Sequence, residues 1–365
     1  MQPLLVLLRG SLWQHTLDES EFAALLNIAE QENVVPWAAE RLRLLDCEFP
    51  AAQKKRLDEI HLEAQLSAFV WAETLKRSLA DFHRAGVPVI ALKGPCLAER
   101  IYGDASLRTC HDLDLLVRRS DVARAEQLLT ELGFAPNSRA DDYHRPWSRN
   151  AFNLELHHDV ENPHAFDFDV DAAWERASLS EFHGAPVWLL APADELVYLC
   201  LHAVRHRFDR LCLILDLELA FRHVQIASTS SPEWCRPVFE NILALGWMMA
   251  AHLDPGVPIP QTMRLSPADR GRLQHLADRL WQELMATPSE TLDWAAQHRF
   301  YVEVETPGWR RFVRRWRHTQ ILLTRLIEED FAFARRFNLS RSWQVRLLRP
   351  IRLLAKSFHT SSRTV

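Results

Sequence analysis

The stretch LKGPCLAERIYGDASLRTCHDLDLLV occupies residues 92–117 and carries the most informative pattern in the chain. It closes on DLDLLV, residues 112–117, in which acidic and apolar residues alternate with the period of a β-strand. The apolar run VPVIAL, residues 87–92, predicts a buried strand just before it. A second alternating run, AFNLELHHDV, covers residues 151–160. Strands separated by helical segments predict an α/β unit.

Helical patterns surround this unit on both sides. Residues 53–84 predict one long amphipathic helix, which Gly86 ends. We expect its buried side to carry Leu62, Leu66, Phe69, Val70 and Leu79. After about residue 190 the chain is helical again. The sequence therefore predicts an α+β protein with a small mixed sheet, divided into a helical region (1–85), an α/β core (86–190) and a helical region with a basic arm (191–365).

Composition places the chain among ordinary globular proteins. Of 365 residues, 48% are hydrophobic and 25% charged, which excludes a disordered chain and a collagen-like fibre. The six cysteines form no CxxC pair, so no zinc knuckle or thioredoxin-like motif is present, and scattered cysteines are typical of a reducing cytoplasm. We expect no transmembrane helix, because no apolar run reaches about 18 residues.

The charge is unevenly distributed. The formal net charge is −5, but residues 309–365 contain fourteen Lys and Arg against three Asp and Glu, a net charge of +11 that leaves −16 for the rest. We expect this basic arm to pack against the acidic body, because it also carries Phe312, Trp316, Leu322, Leu326, Phe333, Phe337, Trp343, Leu347 and Leu354. Binding to nucleic acid or to an anionic membrane surface is the alternative.

Two carboxylates in the second strand suggest chemistry. Asp112 and Asp114 are two residues apart, so they share one face of the strand, and they repel each other unless a cation lies between them. Magnesium prefers such oxygen ligands. Glu155, on the next predicted strand, adds a third carboxylate and shares its face with His157. The simpler interpretation is a polar strand edge with a solvent-facing glutamate.

The turn after the first strand suits a phosphate. Gly94 allows close backbone approach, the following helix offers free N–H groups, and Lys93 and Arg108 could neutralise phosphate charge. His202 and His206 lie four residues apart and share a helix face, either as packing residues or as pocket lining. Taken alone, each of these signals is weak; their order along the chain is more specific.

That order resembles the DNA polymerase beta-like nucleotidyltransferase superfamily, and more narrowly an uncharacterised bacterial nucleotidyltransferase family. The family pairs an LKG turn with a later R…DxDLLV, here Leu92-Lys93-Gly94, Arg108 and residues 112–117. It also shows a Glu-Leu-His strand and two downstream motifs, matched here by residues 155–157, 199–202 and 215–216. Pro95 is a departure, since the wider superfamily usually places Ser or Gly after this glycine.

The resemblance implies transfer of a nucleoside monophosphate from an NTP such as ATP to an unidentified acceptor, with release of pyrophosphate. It implies two Mg²⁺ or Mn²⁺ ions held by Asp112, Asp114 and Glu155, and a triphosphate held by Lys93, Gly94 and Arg108. His157, His202 and Asp216 are expected around the pocket. The acceptor could be a small molecule, a sugar, a protein or an RNA end.

Two alternatives remain open at this stage. The chain could be a catalytically inactive transferase fold that serves as a binding module, although all three acids are present. It could instead act by binding nucleic acid or an anionic surface through the basic arm, although it contains no zinc or RRM signature.

Overall fold

The computed structural model describes residues 1–9, 17–45, 49–137, 143–161, 166, 168–223, 237–260, 263, 265–286 and 294–305, and four isolated positions, 333, 335, 337 and 345. The strands are β1 (Ile90–Ala91), β2 (Leu113–Leu116), β3 (Ala135–Pro136), β4 (His144–Arg149), β5 (Phe152–His157), β6 (Ser178–Phe182) and β7 (Ala185–Leu189). The predicted basic arm lies outside the described residues, apart from these four positions.

Helices precede, interrupt and follow the strands. They are α1 (Gln2–Leu8), α2 (Glu19–Gln31), α3 (Val35–Arg43), α4 (Ala51–Arg84), α5 (Pro95–Tyr102), α6 (Val122–Glu131), α7 (Val170–Arg176), α8 (Pro192–Arg205), α9 (Leu211–His223), α10 (Pro237–Leu253), α11 (Pro267–Ala286) and α12 (Trp294–Val304). Within the described ranges no helix is both long and apolar enough to cross a membrane.

The strands form one mixed sheet in the order β3-β4-β5-β2-β1-β7-β6. The pair β2–β5 is parallel, while β1–β2 and β4–β5 are antiparallel. All described strands lie between residues 90 and 189, so the predicted α+β class with a small mixed sheet flanked by helices is confirmed. The strand at 87–92 is shorter than predicted, and only two of its residues pair in the sheet.

Both faces of the sheet are covered, because side chains along a strand alternate between them. Leu113, Leu115 and Val117 enter one apolar cluster with residues of α4 and α6, as the alternation in DLDLLV predicts. Leu116 and Ile90 enter the opposite cluster, with α8, α9 and α10. Asp114 lies between Leu113 and Leu115 along β2, so its side chain points to the α8 face.

The prediction for the middle of α4 is wrong. Leu62, Leu66, Phe69 and Val70 are 57%, 58%, 66% and 45% exposed, whereas Leu79 is buried as predicted. The helix has 34 residues and is about 50 Å long at 1.5 Å per residue. Its two ends pack into different apolar clusters. The apolar residues between these ends keep the same helical spacing, but among the described residues no element covers them.

A hairpin at the edge of the sheet was not predicted. β6 and β7 pair antiparallel through a two-residue turn of His183 and Gly184, which have φ angles of 50° and 86°. Two successive positive φ angles are typical of a tight hairpin turn whose backbone twist matches that of the flanking strands. The His-Gly step and the alternation in APVWL were the available signals.

Residues 1–304 form one compact unit, and residues 305–365 are assigned to a second. The sheet and the helices described above all belong to the first unit. The predicted boundaries near residues 85 and 190 stay predictions, since they concern regions within that unit.

Candidate functional site

The carboxylates meet because β2 and β5 are parallel neighbours. Their register places Asp114 opposite Glu155, and Leu116 opposite His157. Side chains at opposite positions of neighbouring strands project to the same face, so Asp114, Glu155 and His157 meet on the α8 side of the sheet. Lys93 reaches the same place from the turn after β1.

These side chains form a buried charged cluster. Nε2 of His157 lies 3.1 Å from Oδ1 of Asp114 and 3.3 Å from Oε2 of Glu155. Nζ of Lys93 lies 3.2 Å from Oδ2 of Asp114. Asp114 and His157 are each 2% exposed and Lys93 is 8% exposed. We call Asp112, Asp114, Glu155, His157 and Lys93 the acidic cluster.

The acidic cluster offers ligands for a metal ion. Asp114, Glu155 and His157 each present one ligand atom, and these three atoms lie within 4.8 Å of one another. Carboxylate oxygens suit Mg²⁺ and Mn²⁺, and an imidazole nitrogen is also accepted by Mn²⁺ and by softer metals. The residues therefore fit a divalent cation. The predicted set contained Asp112 in place of His157.

The charges of the cluster influence each other strongly. Burial alone would raise the pKa of Asp114, but the Lys93 ammonium and the hydrogen bond with His157 outweigh it and lower that pKa. Burial would likewise lower the pKa of His157, yet its hydrogen bonds with Asp114 and Glu155 raise it. With a proton on Nε2, His157 can donate to both carboxylates, and a metal ion bound at Nε2 would replace that proton.

Asp112 lies one residue before β2 and is the least compensated acid of the cluster. Burial, followed by the negative charge of Asp114, raises its pKa to about 6, and Glu155 acts in the same direction. Lys93 opposes this shift without cancelling it. Such a carboxylate gains most from a cation placed between it and its neighbours.

The turn after β1 has the predicted shape. Gly94 is the N-cap of α5 with φ 76° and ψ −151°, a conformation that only glycine adopts readily. Pro95 occupies the first helical position, where its missing N–H costs the helix nothing. The amides of the first helical turn that remain, with Lys93 just before them, provide a donor set for an anion.

Arg108 and Asp216 lie in a second buried cluster. The guanidinium of Arg108 donates two hydrogen bonds of 2.9 Å, one to each carboxylate oxygen of Asp216. The hydroxyl of Tyr102 donates to Oδ1 of the same carboxylate at 2.6 Å. We call these three residues the Asp216 cluster. Two of the N–H groups with which Arg108 was expected to hold phosphate are thus engaged by Asp216.

His202 and His206 share one face at the end of α8, as their spacing predicts, with ring centres 4.8 Å apart. Nε2 of His202 lies 3.4 Å from Nζ of Lys93, so this helix faces the acidic cluster. Burial lowers the pKa of His202 well below its usual value, and the charge of Lys93 adds to this effect.

Sequence reasoning missed three residues around this site. Arg205 donates to the hydroxyl of Tyr143 and lies 3.2 Å from Nδ1 of His202. His144 on β4 lies 3.6 Å from Oε2 of Glu155. Arg205 follows His202 by three residues on a helix, which was a usable signal. Tyr143 and His144 belong to no motif, and only strand pairing brings them to the site.

A cleft of about 750 Å³ lies between α2, α4 and the segment that leads into β2. Arg108, Cys110 and His111 line it on the side of that segment, and Gln53, Ala64 and Ala68 line it on the side of α4. Asp112 follows His111 directly in the chain. The lining of the cleft is therefore adjacent in sequence to Asp112 of the acidic cluster. The three carboxylates of that cluster are not among the lining residues.

Comparison with solved structures gives distant similarities. An antigenic nucleotidyltransferase-like protein from Paracoccidioides brasiliensis is 17% identical, with 51% of this chain and 89% of that chain covered and a TM-score of 0.37. JHP933 from Helicobacter pylori is 14% identical, with 60% and 93% covered and a TM-score of 0.26. A tRNA-processing enzyme in an apo form is 14% identical, with 80% and 92% covered and a TM-score of 0.23.

No curated protein matches the sequence. A family model described as uncharacterised nucleotidyltransferase matches residues 18–253, about two thirds of the chain. The matched region contains the whole sheet, the acidic cluster and the Asp216 cluster. This chain therefore belongs to the family of uncharacterised nucleotidyltransferases.

Proposed function

We propose that the protein transfers a nucleoside monophosphate from an NTP to an acceptor hydroxyl or other nucleophile and releases pyrophosphate. The observation that carries the proposal is the register of β2 and β5, which sets Asp114 opposite Glu155 with Asp112 two residues earlier. Three neighbouring carboxylates, one of them buried and two partly buried, repel each other unless cations lie among them. Family membership supports nucleotidyl transfer in general terms.

In this proposal Asp112, Asp114 and Glu155 hold two Mg²⁺ or Mn²⁺ ions, and His157 is a further ligand or supports the carboxylates. Bound divalent cations supply charge neutralisation of the phosphates and acidify the acceptor hydroxyl. Glu155 either completes the ligand set or accepts the proton of the acceptor. Its pKa is lowered despite burial, because His157 donates to it, so it is ionised and ready to do either at neutral pH.

The triphosphate is held by the groups around the turn. Lys93 and the backbone at Gly94 provide positive charge and N–H donors, while Arg108 contributes through its Nη1 amino group, which Asp216 does not engage. Asp216 fixes the orientation of Arg108. Holding both reactants in line is the main task of a protein that catalyses phosphoryl or nucleotidyl transfer.

We place the protein in the cytoplasm, because the described cysteines are free thiols, which suits a reducing compartment. The acceptor is sought among small molecules, sugars, proteins and RNA ends. Binding of nucleic acid through the basic arm is kept as a lesser alternative.

The test is incubation of the protein with Mg²⁺ or Mn²⁺, a cell extract and ATP labelled at either the α- or the γ-phosphate, repeated for each α-labelled NTP. We expect an extract component to gain the α-label but not the γ-label, with pyrophosphate released in equal amount. The matched control is Asp112→Asn, which removes one carboxylate charge and retains the side-chain size. Transfer of the γ-label above the level in extract alone would identify a kinase instead. Binding of NTP without any transfer would favour the inactive binding module.

A further inference from the structure

His202 lies between two positively charged side chains. Its Nε2 is 3.4 Å from Nζ of Lys93, and its Nδ1 is 3.2 Å from a terminal nitrogen of Arg205. Both neighbours are hydrogen-bond donors without an acceptor atom. A neutral imidazole has one N–H and one lone pair, so it can accept from only one of them.

The position of Arg205 favours Nδ1 as the nitrogen that accepts. Its guanidinium is planar and held from several sides, because it donates to the hydroxyl of Tyr143 and lies 3.9 Å from a carboxylate oxygen of Glu161. Burial would lower its pKa, but the charge of Glu161 and its other neighbours raise it, so Arg205 remains charged. Donation from Arg205 to Nδ1 of His202, the shorter of the two contacts, places the proton of His202 on Nε2.

The Nε2–H of His202 then points towards Lys93, which cannot accept it. The ammonium of Lys93 also lies 3.2 Å from Oδ2 of Asp114. Two donors thus face one another about 3.4 Å apart, beside the turn that carries Gly94. His202 is half-buried. An anionic oxygen that contacts both donors would satisfy them together.

We propose that the Nε2–H of His202 and the ammonium of Lys93 bind one phosphoryl oxygen of the triphosphate or of pyrophosphate, and that Arg205 is a positioning residue that fixes the tautomer of His202. This rests on the proposed function for the identity of the anion. It assigns phosphate recognition to a residue pair 109 positions apart in the sequence. No covalent step is involved.

The tautomer is measured first, in the unmodified full-length protein. Nitrogen-15 NMR with labelled histidine distinguishes protonated from unprotonated ring nitrogens, and the His202→Gln spectrum identifies which of the 17 histidines is His202. We expect His202 to be neutral with its proton on Nε2, and the Nε2 signal to shift when pyrophosphate and Mg²⁺ are added. A proton on Nδ1 would overturn the proposal.

Pyrophosphate binding is then measured by calorimetry with Mg²⁺ present. We expect His202→Leu to raise the dissociation constant about tenfold or more, as for a lost hydrogen bond to a charged group. His202→Gln should stay within about threefold, because the glutamine amide offers an N–H near the position of Nε2. Equal affinity of His202→Leu and the unmodified protein would overturn the proposal.

The role of Arg205 has its own readout. We expect Arg205→Met to give a mixture of His202 tautomers and weaker pyrophosphate binding, while Arg205→Lys, which also donates, restores the single tautomer. An unchanged tautomer in Arg205→Met would refute the positioning role. If the His202 and Arg205 variants change pyrophosphate binding as expected but the protein transfers no nucleotide, only the proposed function is refuted. If the protein transfers nucleotide but His202→Leu binds pyrophosphate as tightly as the unmodified protein, only this inference is refuted.

Discussion

The acidic cluster and the Asp216 cluster are both buried and charged, but they differ in how fully their charges are satisfied. Asp216 receives two hydrogen bonds from Arg108 and one from Tyr102. The acidic cluster gathers three carboxylates around one lysine and one histidine, and the pKa of Asp112 is raised to about 6, first by burial and then by Asp114. One cluster is complete in itself, and the other would be stabilised by additional positive charge.

This difference separates two uses of buried charge. A complete ion pair holds elements together, here α5, the segment after it and α9, and removing one member leaves an unpaired charge in the interior. In an incomplete cluster the carboxylates still repel one another, so a cation that binds there relieves this repulsion. Stability should therefore depend on the Asp216 cluster and activity on the acidic cluster.

The largest expected effect is on activity in the acidic cluster. Asp112→Asn should reduce the rate of nucleotidyl transfer at least about 10³-fold, because metal assistance contributes several kcal/mol and each 1.36 kcal/mol is a factor of ten. The same change should raise the melting temperature of the metal-free protein, since it removes repulsion from Asp114 and Glu155. Steady-state rates and thermal unfolding measure the two effects.

The matched control for this experiment is Glu131→Gln, which neutralises an exposed acid on α6. We expect it to change neither rate nor melting temperature appreciably. A loss of activity in Asp112→Asn smaller than tenfold would contradict the assignment of the acidic cluster as the catalytic centre.

The next largest effect is on stability in the Asp216 cluster. Asp216→Asn should lower the free energy of unfolding by about 3 kcal/mol, because Arg108 then keeps a buried charge without its carboxylate. The double variant Arg108→Met with Asp216→Leu should recover most of this loss, since it removes both charges. Urea-induced unfolding measures each. A loss below about 1 kcal/mol for Asp216→Asn would show that the pair is not stabilising the fold.

Metal binding should distinguish the clusters directly. At a Mn²⁺ concentration ten times the dissociation constant, we expect stabilisation by about 1.4 kcal/mol and a rise in melting temperature of about 2 °C. Glu155→Gln should reduce the rise, whereas Asp216→Asn should retain it. An equal rise in Glu155→Gln would place the metal at another site.

The smallest expected effect comes from Tyr102→Phe. It removes one neutral donor to Asp216 and leaves both hydrogen bonds from Arg108, so it should lower the free energy of unfolding by about 1 kcal/mol. Urea-induced unfolding is again the measurement. A loss as large as that of Asp216→Asn would mean that the hydroxyl, and not the guanidinium, is the main partner of the carboxylate.

Prediction from sequence worked where the pattern was local. Alternation in DLDLLV and NLELH placed two strands and the faces of Asp114, Glu155 and His157 correctly, because side chains on a strand must alternate. It failed in the middle of α4, where an apolar period at Leu62, Leu66 and Phe69 remains exposed. Periodicity shows which face of a helix is apolar, but the neighbouring elements decide whether that face is covered.

The sequence alone determined the α+β class, the position of the sheet between residues 86 and 190, the glycine turn at Gly94 and the strand faces that carry the acids. These follow from properties of short segments: strand alternation, the conformational freedom of glycine and the charge of a carboxylate. They do not require knowledge of distant contacts.

Which side chains contact one another follows from the packing of the strands and helices. This packing engaged Arg108 with Asp216, brought His157 between Asp114 and Glu155, and set Arg205 beside His202. Each of these contacts joins side chains whose distances depend on strand order, register or helix packing. Arg108 and Asp216 are 108 positions apart in the sequence, and no sequence period predicts their contact. The energy of an ion pair depends on the distance between the two groups in space, which the fold sets.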